Sequence, residues 1–253
     1  MIRLIARIDS RNRNHIKTIQ CEGTKIIRPV LESLRRFSQG KLEHDEIIIL
    51  DNVASLYGVD NWLFKYECNH MFVPIPLSIG GGINTMEKAF TTLAKGADKI
   101  VLNTAAINDP TIINSVVNVC GSQAVVIQID ARAIDGEYRC FTHGGRELSE
   151  YSVNQWIGIA SDLGAGEIFA TSIDTEGCSN PFPCALAEIL SLNHSLPVIV
   201  SGGIRTTAQI KHLHSEYGLS AFAFSSLTNI LNQDLLLFRE ELINLGLAVR
   251  TPT

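Results

Sequence analysis

Short runs of apolar, often β-branched residues recur along the whole chain. They are Leu4–Ile8, Ile47–Leu50, Pro76–Ile79, Lys99–Leu102, Ala124–Ile129, Ile168–Ala170, Pro197–Val200 and Ala221–Phe224. Most are apolar throughout, which predicts strands buried on both faces of a parallel sheet. Between most of them lie stretches with helical spacing, such as Thr85–Ala94 and Val153–Leu163. Asn84 and Ser152 are their expected N-caps. Eight strand–helix units in 253 residues predict a (β/α)8 TIM barrel. On pattern alone, an open doubly wound sheet is the alternative.

An internal repeat favours the barrel. Ser78-Ile79-Gly80-Gly81-Gly82-Ile83 follows the third strand and Ile199-Val200-Ser201-Gly202-Gly203-Ile204 the seventh, with 202 − 81 = 121. The second and sixth strands end at Asp51 and Ser172, and the first and fifth at Asp9 and Asp130. Both pairs repeat the offset, since 172 − 51 = 121 and 130 − 9 = 121. A constant offset at three strand ends predicts one domain over 1–253, built from two similar half-barrels at about 1–121 and 122–245.

Composition narrows the function. The apolar fraction of 45% allows a large core, and 21 basic against 26 acidic residues give a formal charge of −5. A chain with that balance and no Lys/Arg cluster is a poor nucleic-acid binder. No apolar run reaches the ~20 residues of a membrane span, and the first residues read as a strand rather than a signal peptide. The six cysteines form no C-x-x-C pair, so reduced thiols in a cytoplasmic protein are expected. No Walker loop, nucleophile elbow or H-E-x-x-H occurs, and neither a cofactor nor a metal is expected.

Barrel active sites form where strands end at their C-terminal edge. That rule selects Asp9, Asp51, Gly80, Gly81, Gly82, Asn103, Thr104, Asp130, Thr171, Ser201, Gly202, Gly203, Ser225 and Ser226. Glycine turns let backbone N–H groups approach an anion, and a following helix N-terminus favours phosphate. The alternative is that these glycines only make tight turns. Two equivalent sites across one barrel mouth imply a long substrate with a phosphate at each end. Asp9 and Asp130 would then face the reacting centre as general acid and base. A metal pair or helix caps are the competing readings of these carboxylates. Lys17, in the loop after the first strand, would clamp an anionic intermediate or simply be solvated.

Together these residues resemble the HisF family, the cyclase subunits of imidazole glycerol phosphate synthase. The resemblance is densest at Gly80–Ile83, Lys95–Ala106, Gly121–Ala131, Gly164–Asp174 and Ser201–Gly203. It implies a partner glutaminase, HisH-like, whose ammonia crosses the barrel. That ammonia converts a bis-phosphorylated ribulosyl formimino-carboxamide ribotide to imidazole glycerol phosphate. It further implies acid–base roles for Asp9 and Asp130, a mobile first loop carrying Lys17, and two phosphate sites at the glycine, Asn103-Thr104 and serine positions. Asp51, Thr171, Glu176 and Gly177 would border the substrate. Arg3, Glu46, Lys99 and Glu167 match a charged ring gating the ammonia tunnel, with a stability network as the plainer reading. Asp98 and Gln123 match positions facing the glutaminase.

Two segments depart from the family pattern. The stretch Ser10–Lys17 lacks the Asp-Gly that usually follows the first aspartate. Glu176-Gly177-Cys178 stands where the family typically has Asp-Gly-Thr. Lys17-Thr18-Ile19 resembles a HisF-like branch found with surface-sugar biosynthesis genes and thought to deliver ammonia for amidation of a sugar. Three roles therefore remain open: cyclase, amidation paralogue, and non-catalytic glutaminase-binding scaffold.

Overall fold

The computed structural model describes residues 1–38, 44–65, 73–192, 196–225 and 235–251. Eight parallel strands close into a barrel: β1 (Arg3–Arg11), β4 (Glu46–Asp51), β5 (Leu77–Gly80), β6 (Lys99–Leu102), β7 (Val125–Ile134), β10 (Glu167–Ser172), β11 (Val198–Ser201) and β12 (Ala221–Phe224). They pair in that order, and β12 returns to β1. The closed parallel ring is the expected (β/α)8 barrel. An open sheet would leave two edge strands without a neighbour.

The two-residue period of a strand explains what fills it. Leu4, Ala6 and Ile8 face outward and pack under helices, whereas Ile5 joins Ile48, Leu50, Val101, Val126, Phe169, Ile199, Ala221 and Ala223 in a dry layer inside. Burying each large side chain of that layer stabilises the barrel by roughly 1.5–3 kcal/mol. Phe169, fully buried, is its bulkiest member, and truncation to alanine would cost about 3–5 kcal/mol. Arg3 lies below this layer, and Arg7 and Asp9 lie above it on the same strand face.

Helices α1 (Val30–Ser38), α3 (Met86–Ala94), α5 (Thr111–Cys120), α6 (Val153–Asp162), α7 (Cys184–Ser191), α8 (Thr207–Tyr217) and α9 (Leu235–Asn244) cover the outside, with short α2 (Ala54–Tyr57) and α4 (Thr104–Asn108) at the rim. Ser152 caps α6 in a reciprocal capping box with Gln155, as expected. The cap of α3 is Thr85, which accepts from the Lys88 N–H at 3.2 Å, and not Asn84. Thr85 has the extended backbone a cap requires, with its hydroxyl three residues before that donor.

Two excursions were not anticipated. After β1 the chain forms β2 (Asn14–Ile19) and β3 (Glu22–Pro29). After β7 it forms β8 (Glu137–Thr142) and β9 (Glu147–Ser152). Both hairpins are antiparallel and extend a barrel strand past the rim. Lys17 therefore sits on a strand rather than in an open loop. Among the described residues no helix is long and apolar enough to cross a membrane.

Candidate active site

The glycine turns explain the shape of the rim. Gly81 has φ of +94°, and a Cβ there would stand 2.2 Å from the Asp51 carbonyl oxygen. Gly202 has φ of +95°, and its Cβ would stand 2.7 Å from the Ser172 carbonyl oxygen. Each turn thus lies against the residue that ends the preceding strand, and only glycine fits. Gly82 and Gly203 continue the two turns at φ of +70° and +77°.

Beside the first turn is a recess of about 230 Å³. Its walls include Asp51, Gly81, Gly82, Asn103, Thr104 and Asp130, with Arg7, Gln128 and His143. Beside the second is a recess of only about 30 Å³, bordered by Arg7, Lys17, Glu176, Gly177, Ser201, Gly202, Gly203 and Ser225. Most of the sequence-selected residues therefore gather around two recesses at one end of the barrel; Asp9 and Thr171 line neither, but both bond Arg7, which borders both. Ser226 lies outside the described residues.

Several polar groups already have partners. The Asp51 carboxylate accepts from the Val53 and Ala54 N–H groups at 3.1 and 3.2 Å, pinning the turn after β4. Burial raises its affinity for a proton, against these N–H groups. Asn103 Nδ2 donates to Asp130 Oδ2 at 3.0 Å, and the Thr104 hydroxyl accepts from the His143 N–H at 3.0 Å. Lys17 Nζ pairs with Glu176 Oε1 at 3.0 Å, while Glu176 Oε2 accepts from the Cys21 N–H at 3.0 Å. A Cβ on Gly177 would meet the Thr18 carbonyl at 2.6 Å, so this glycine lets the loop after β10 lie against β2. The first hairpin and the sixth loop are thereby latched together over the smaller recess.

Asp9 and Asp130 are both buried; Asp130 lines the larger recess, and Asp9 is bonded to Arg7, which borders both. Asp9 Oδ1 accepts from Arg7 Nε and Nη2 at 3.1 and 2.9 Å, and from Asn52 Nδ2 at 3.0 Å. Asp130 accepts instead from Gln128 Nε2, at 2.9 Å on Oδ1 and 3.1 Å on Oδ2. Burial pushes Asp130 up to about 6. Gln128 and the charge of Arg7 oppose that rise, and the charges of Asp9 and Glu176 add to it. An acid with that value is poised for proton transfer near neutral pH. Cys21 also borders the larger recess, but burial holds its thiol well above the usual range. It is therefore no thiolate nucleophile. Among the described residues no group of three His, Cys, Asp or Glu is placed to hold a metal ion.

Sequence reasoning missed Arg7, Gln128, Asn52 and His143. The first two had a readable signal: each stands two residues before a selected aspartate, on the same face of the same strand. The other two depend on loop conformations that no period encodes.

At the opposite end of the barrel, Arg3 Nη1 meets Glu46 Oε1 at 2.6 Å and Arg3 Nη2 meets Glu167 Oε1 at 2.5 Å. Lys99 Nζ meets Glu46 Oε2 at 3.3 Å and Glu167 Oε2 at 2.8 Å. The four close a ring of alternating charge under the dry layer. Nearby, Asp98 Oδ2 accepts from the Leu77 N–H at 2.8 Å, joining the starts of two strands. Gln123 is exposed just before β7.

Comparison with known proteins identifies a family. A family model described as "Histidine biosynthesis protein" matches residues 3–227. The imidazole glycerol phosphate synthase subunit HisF of Legionella pneumophila is 40% identical over 207 residues, 80% of this chain and 95% of that protein. The subunit of the same name from Chlorobaculum tepidum is 34% identical over 255 residues, 98% of each chain. With a match of that length and the barrel to carry it, the chain belongs to the HisF family.

Proposed function

We propose that this protein is the cyclase subunit of an imidazole glycerol phosphate synthase. It would use ammonia from a glutaminase partner on a bis-phosphorylated ribulosyl formimino-carboxamide ribotide. The observation that carries this is a pair of glycine-walled recesses at one end of the barrel, with buried Asp130 in the wall of the larger and buried Asp9 bonded to Arg7, which borders both. The recesses would take the two phosphates through backbone N–H groups and helix N-termini. The aspartates would move protons at the centre as ammonia's nitrogen bonds to the ribulosyl carbonyl carbon and that oxygen leaves as water; the same nitrogen then bonds to the formimino carbon and displaces the aminoimidazole carboxamide ribotide. The charged ring and exposed Gln123 support a glutaminase face at the opposite end, where the ring would gate the ammonia. A cytoplasmic location goes with this reading, as does a plan of one domain in two half-barrels. Supporting that plan, Gly81 and Gly202, 121 residues apart, each pack on the end of the preceding strand.

The purified chain, given the ribulosyl substrate and ammonium salt, is expected to release imidazole glycerol phosphate. A folded protein without turnover would overturn the proposal. The latch between Lys17 and Glu176 favours a second reading, a HisF-like paralogue that supplies ammonia for amidation of a sugar. That pair already occupies the ground where a second phosphate would sit.

A further inference from the structure

The geometry points to Arg7 as a positioning residue: lodged across the barrel axis, it pairs with the Asp9 carboxylate and turns it so that only one of its oxygens is engaged. This inference rests on the acid–base roles proposed above and says how two chemically identical side chains come to take different ones.

Arg7 is 2% exposed, and its guanidinium reaches three strands. Nε and Nη2 bind Asp9 on β1, and Nη1 reaches Thr171 Oγ1 on β10 at 2.9 Å and Ser201 Oγ on β11 at 3.3 Å. From the dry layer beneath, the Phe169 ring faces it, its centroid 5.6 Å from the guanidinium carbon. Arg7 also borders both recesses. A ligand spanning them must pass it, and so must anything rising along the axis.

Its effect on Asp9 is directional. Three donors converge on Oδ1, two from Arg7 and one from Asn52. Oδ2 is fully buried and accepts from none of the described residues. Such one-sided bonding fixes the rotation of the carboxylate and leaves a single oxygen without a donor among the described residues. At the equivalent place in the second half stands Gln128, since 128 − 7 = 121. Its amide spreads over both oxygens of Asp130 and adds no charge. Asp130 therefore has an orienting partner but no neutralising one on its own strand, and is the carboxyl group suited to hold and deliver a proton.

Other groups near Asp9 do not substitute for Arg7. Asp130 on β7 repels it, and Glu176 in the loop after β10 faces Arg7 and Asp130. His15 on β2 is lowered by burial to about 4 and bonds Ser33 Oγ at 2.8 Å, so it is neutral at working pH. Cys21, between β2 and β3, is an uncharged thiol. Among the described residues, Arg7 is the cation in contact with Asp9.

The test compares the intact chain with Arg7→Gln and Arg7→Lys, the lysine variant keeping the charge. The first readout is 13C NMR of the aspartate carboxyls at pH 7, assigned with Asp9→Asn and Asp130→Asn. In Arg7→Gln the pair is expected to carry one more proton than in the native chain, and in Arg7→Lys the native number. Unchanged protonation in Arg7→Gln overturns the inference whether or not the protein turns over. The second readout is ammonium-driven turnover between pH 5.5 and 9, with calorimetric binding of ribulose 1,5-bisphosphate as a probe. Arg7→Gln is expected to lose at least 30-fold in kcat at pH 7. Its acid limb should move up by at least one pH unit, and its probe affinity should change less than threefold. Arg7→Lys should regain most of kcat. Parallel loss of probe binding and kcat, or no rescue by lysine, would reduce Arg7 to a strut. If the native chain shows no turnover while the NMR result holds, the cyclase reading falls and the charge-holding role of Arg7 stands.

Discussion

Asp9 and Asp130 stand at the same end of strands on opposite sides of one barrel, yet their surroundings differ. Asp9 has a buried guanidinium two residues before it, and Asp130 has a neutral amide at the matching position. One carboxylate is neutralised, and the other is pushed up to about 6 by burial beside like charges. The difference teaches that strand positions 121 residues apart can set matching groups at one mouth, while a single exchange on the same strand face decides what each can do. The opposite end of the barrel makes the contrast sharper. There the two halves contribute matching glutamates, Glu46 and Glu167, with 167 − 46 = 121.

The largest expected effect tests the aspartates directly. Asp9→Asn and Asp130→Asn should each lower ammonium-driven turnover by 100-fold or more, in keeping with general acid–base catalysis worth 10²–10⁴. Their stabilities should diverge. Asp9→Asn leaves Arg7 buried without its counter-charge, which costs about 3–5 kcal/mol by urea unfolding. Asp130→Asn removes a carboxylate that burial disfavours, so at pH 7.5 it should leave stability unchanged or raise it. Equal destabilisation by both changes would erase the distinction between the two halves.

pH separates the halves further. Asp130 has a folded value near 6 against an ordinary 3.8, so between these the folded state binds more protons than the unfolded one. Its contribution is fully favourable below about 3.8 and declines as pH rises, levelling above about 6. His15, lowered from 6.5 to about 4, acts oppositely: its contribution is intact above 6.5 and is lost as pH falls toward 4. The stability advantage of Asp130→Asn over the native chain should therefore be smallest near pH 4 and largest above pH 6. Urea melts across that window would show the trend, and a gap independent of pH would contradict it.

The glycine turns come next. At Gly81 an added Cβ would come to 2.2 Å from backbone, and at Gly202 to 2.7 Å, with φ in the left-handed region at both. Alanine at either should destabilise by about 1–3 kcal/mol, more at Gly81. Loss of probe binding at the altered recess should accompany it, as measured by calorimetry.

Much of this was legible because the signals were periodic. Eight apolar runs, their spacing and the 121-residue offset carried the barrel, and the strand-end rule carried Asp9, Asp130 and the glycines to one mouth. The hairpins escaped because their strands stand at the rim and carry mixed polar and apolar residues, as in Glu22–Pro29, which no buried-strand pattern resembles. Lys17 was misplaced for the same reason. Arg7 escaped because a charge inside a barrel is costly alone and is sustained only by Asp9, Thr171 and Ser201, partners that the closed fold brings together. Parity with Asp9 would have shown where it points, though not what it binds.

The smallest expected effect lies at the charged ring, where the halves are alike in their carboxylates and unlike in their cations. Arg3 and Lys99 both come from the first half, and their counterparts 121 residues on are Ala124 and Ser220. Each glutamate accepts from both cations, Glu167 at 2.5 and 2.8 Å and Glu46 at 2.6 and 3.3 Å. Lys99→Met leaves two mostly buried carboxylates sharing one guanidinium and should cost about 1–2 kcal/mol, between the values for exposed and fully buried pairs. Glu46→Gln and Glu167→Gln each keep a hydrogen-bond acceptor and relieve one negative charge. They should cost less than Lys99→Met and differ from each other by under about 0.5 kcal/mol, with Glu167→Gln the larger because its contacts are shorter. Urea unfolding at low and high salt distinguishes the outcomes, since the Lys99→Met loss should shrink as salt screens the glutamates. A large gap between the two glutamine variants would mean that the halves are as unequal at the base as at the mouth, and that the repeated glutamates do not share one role.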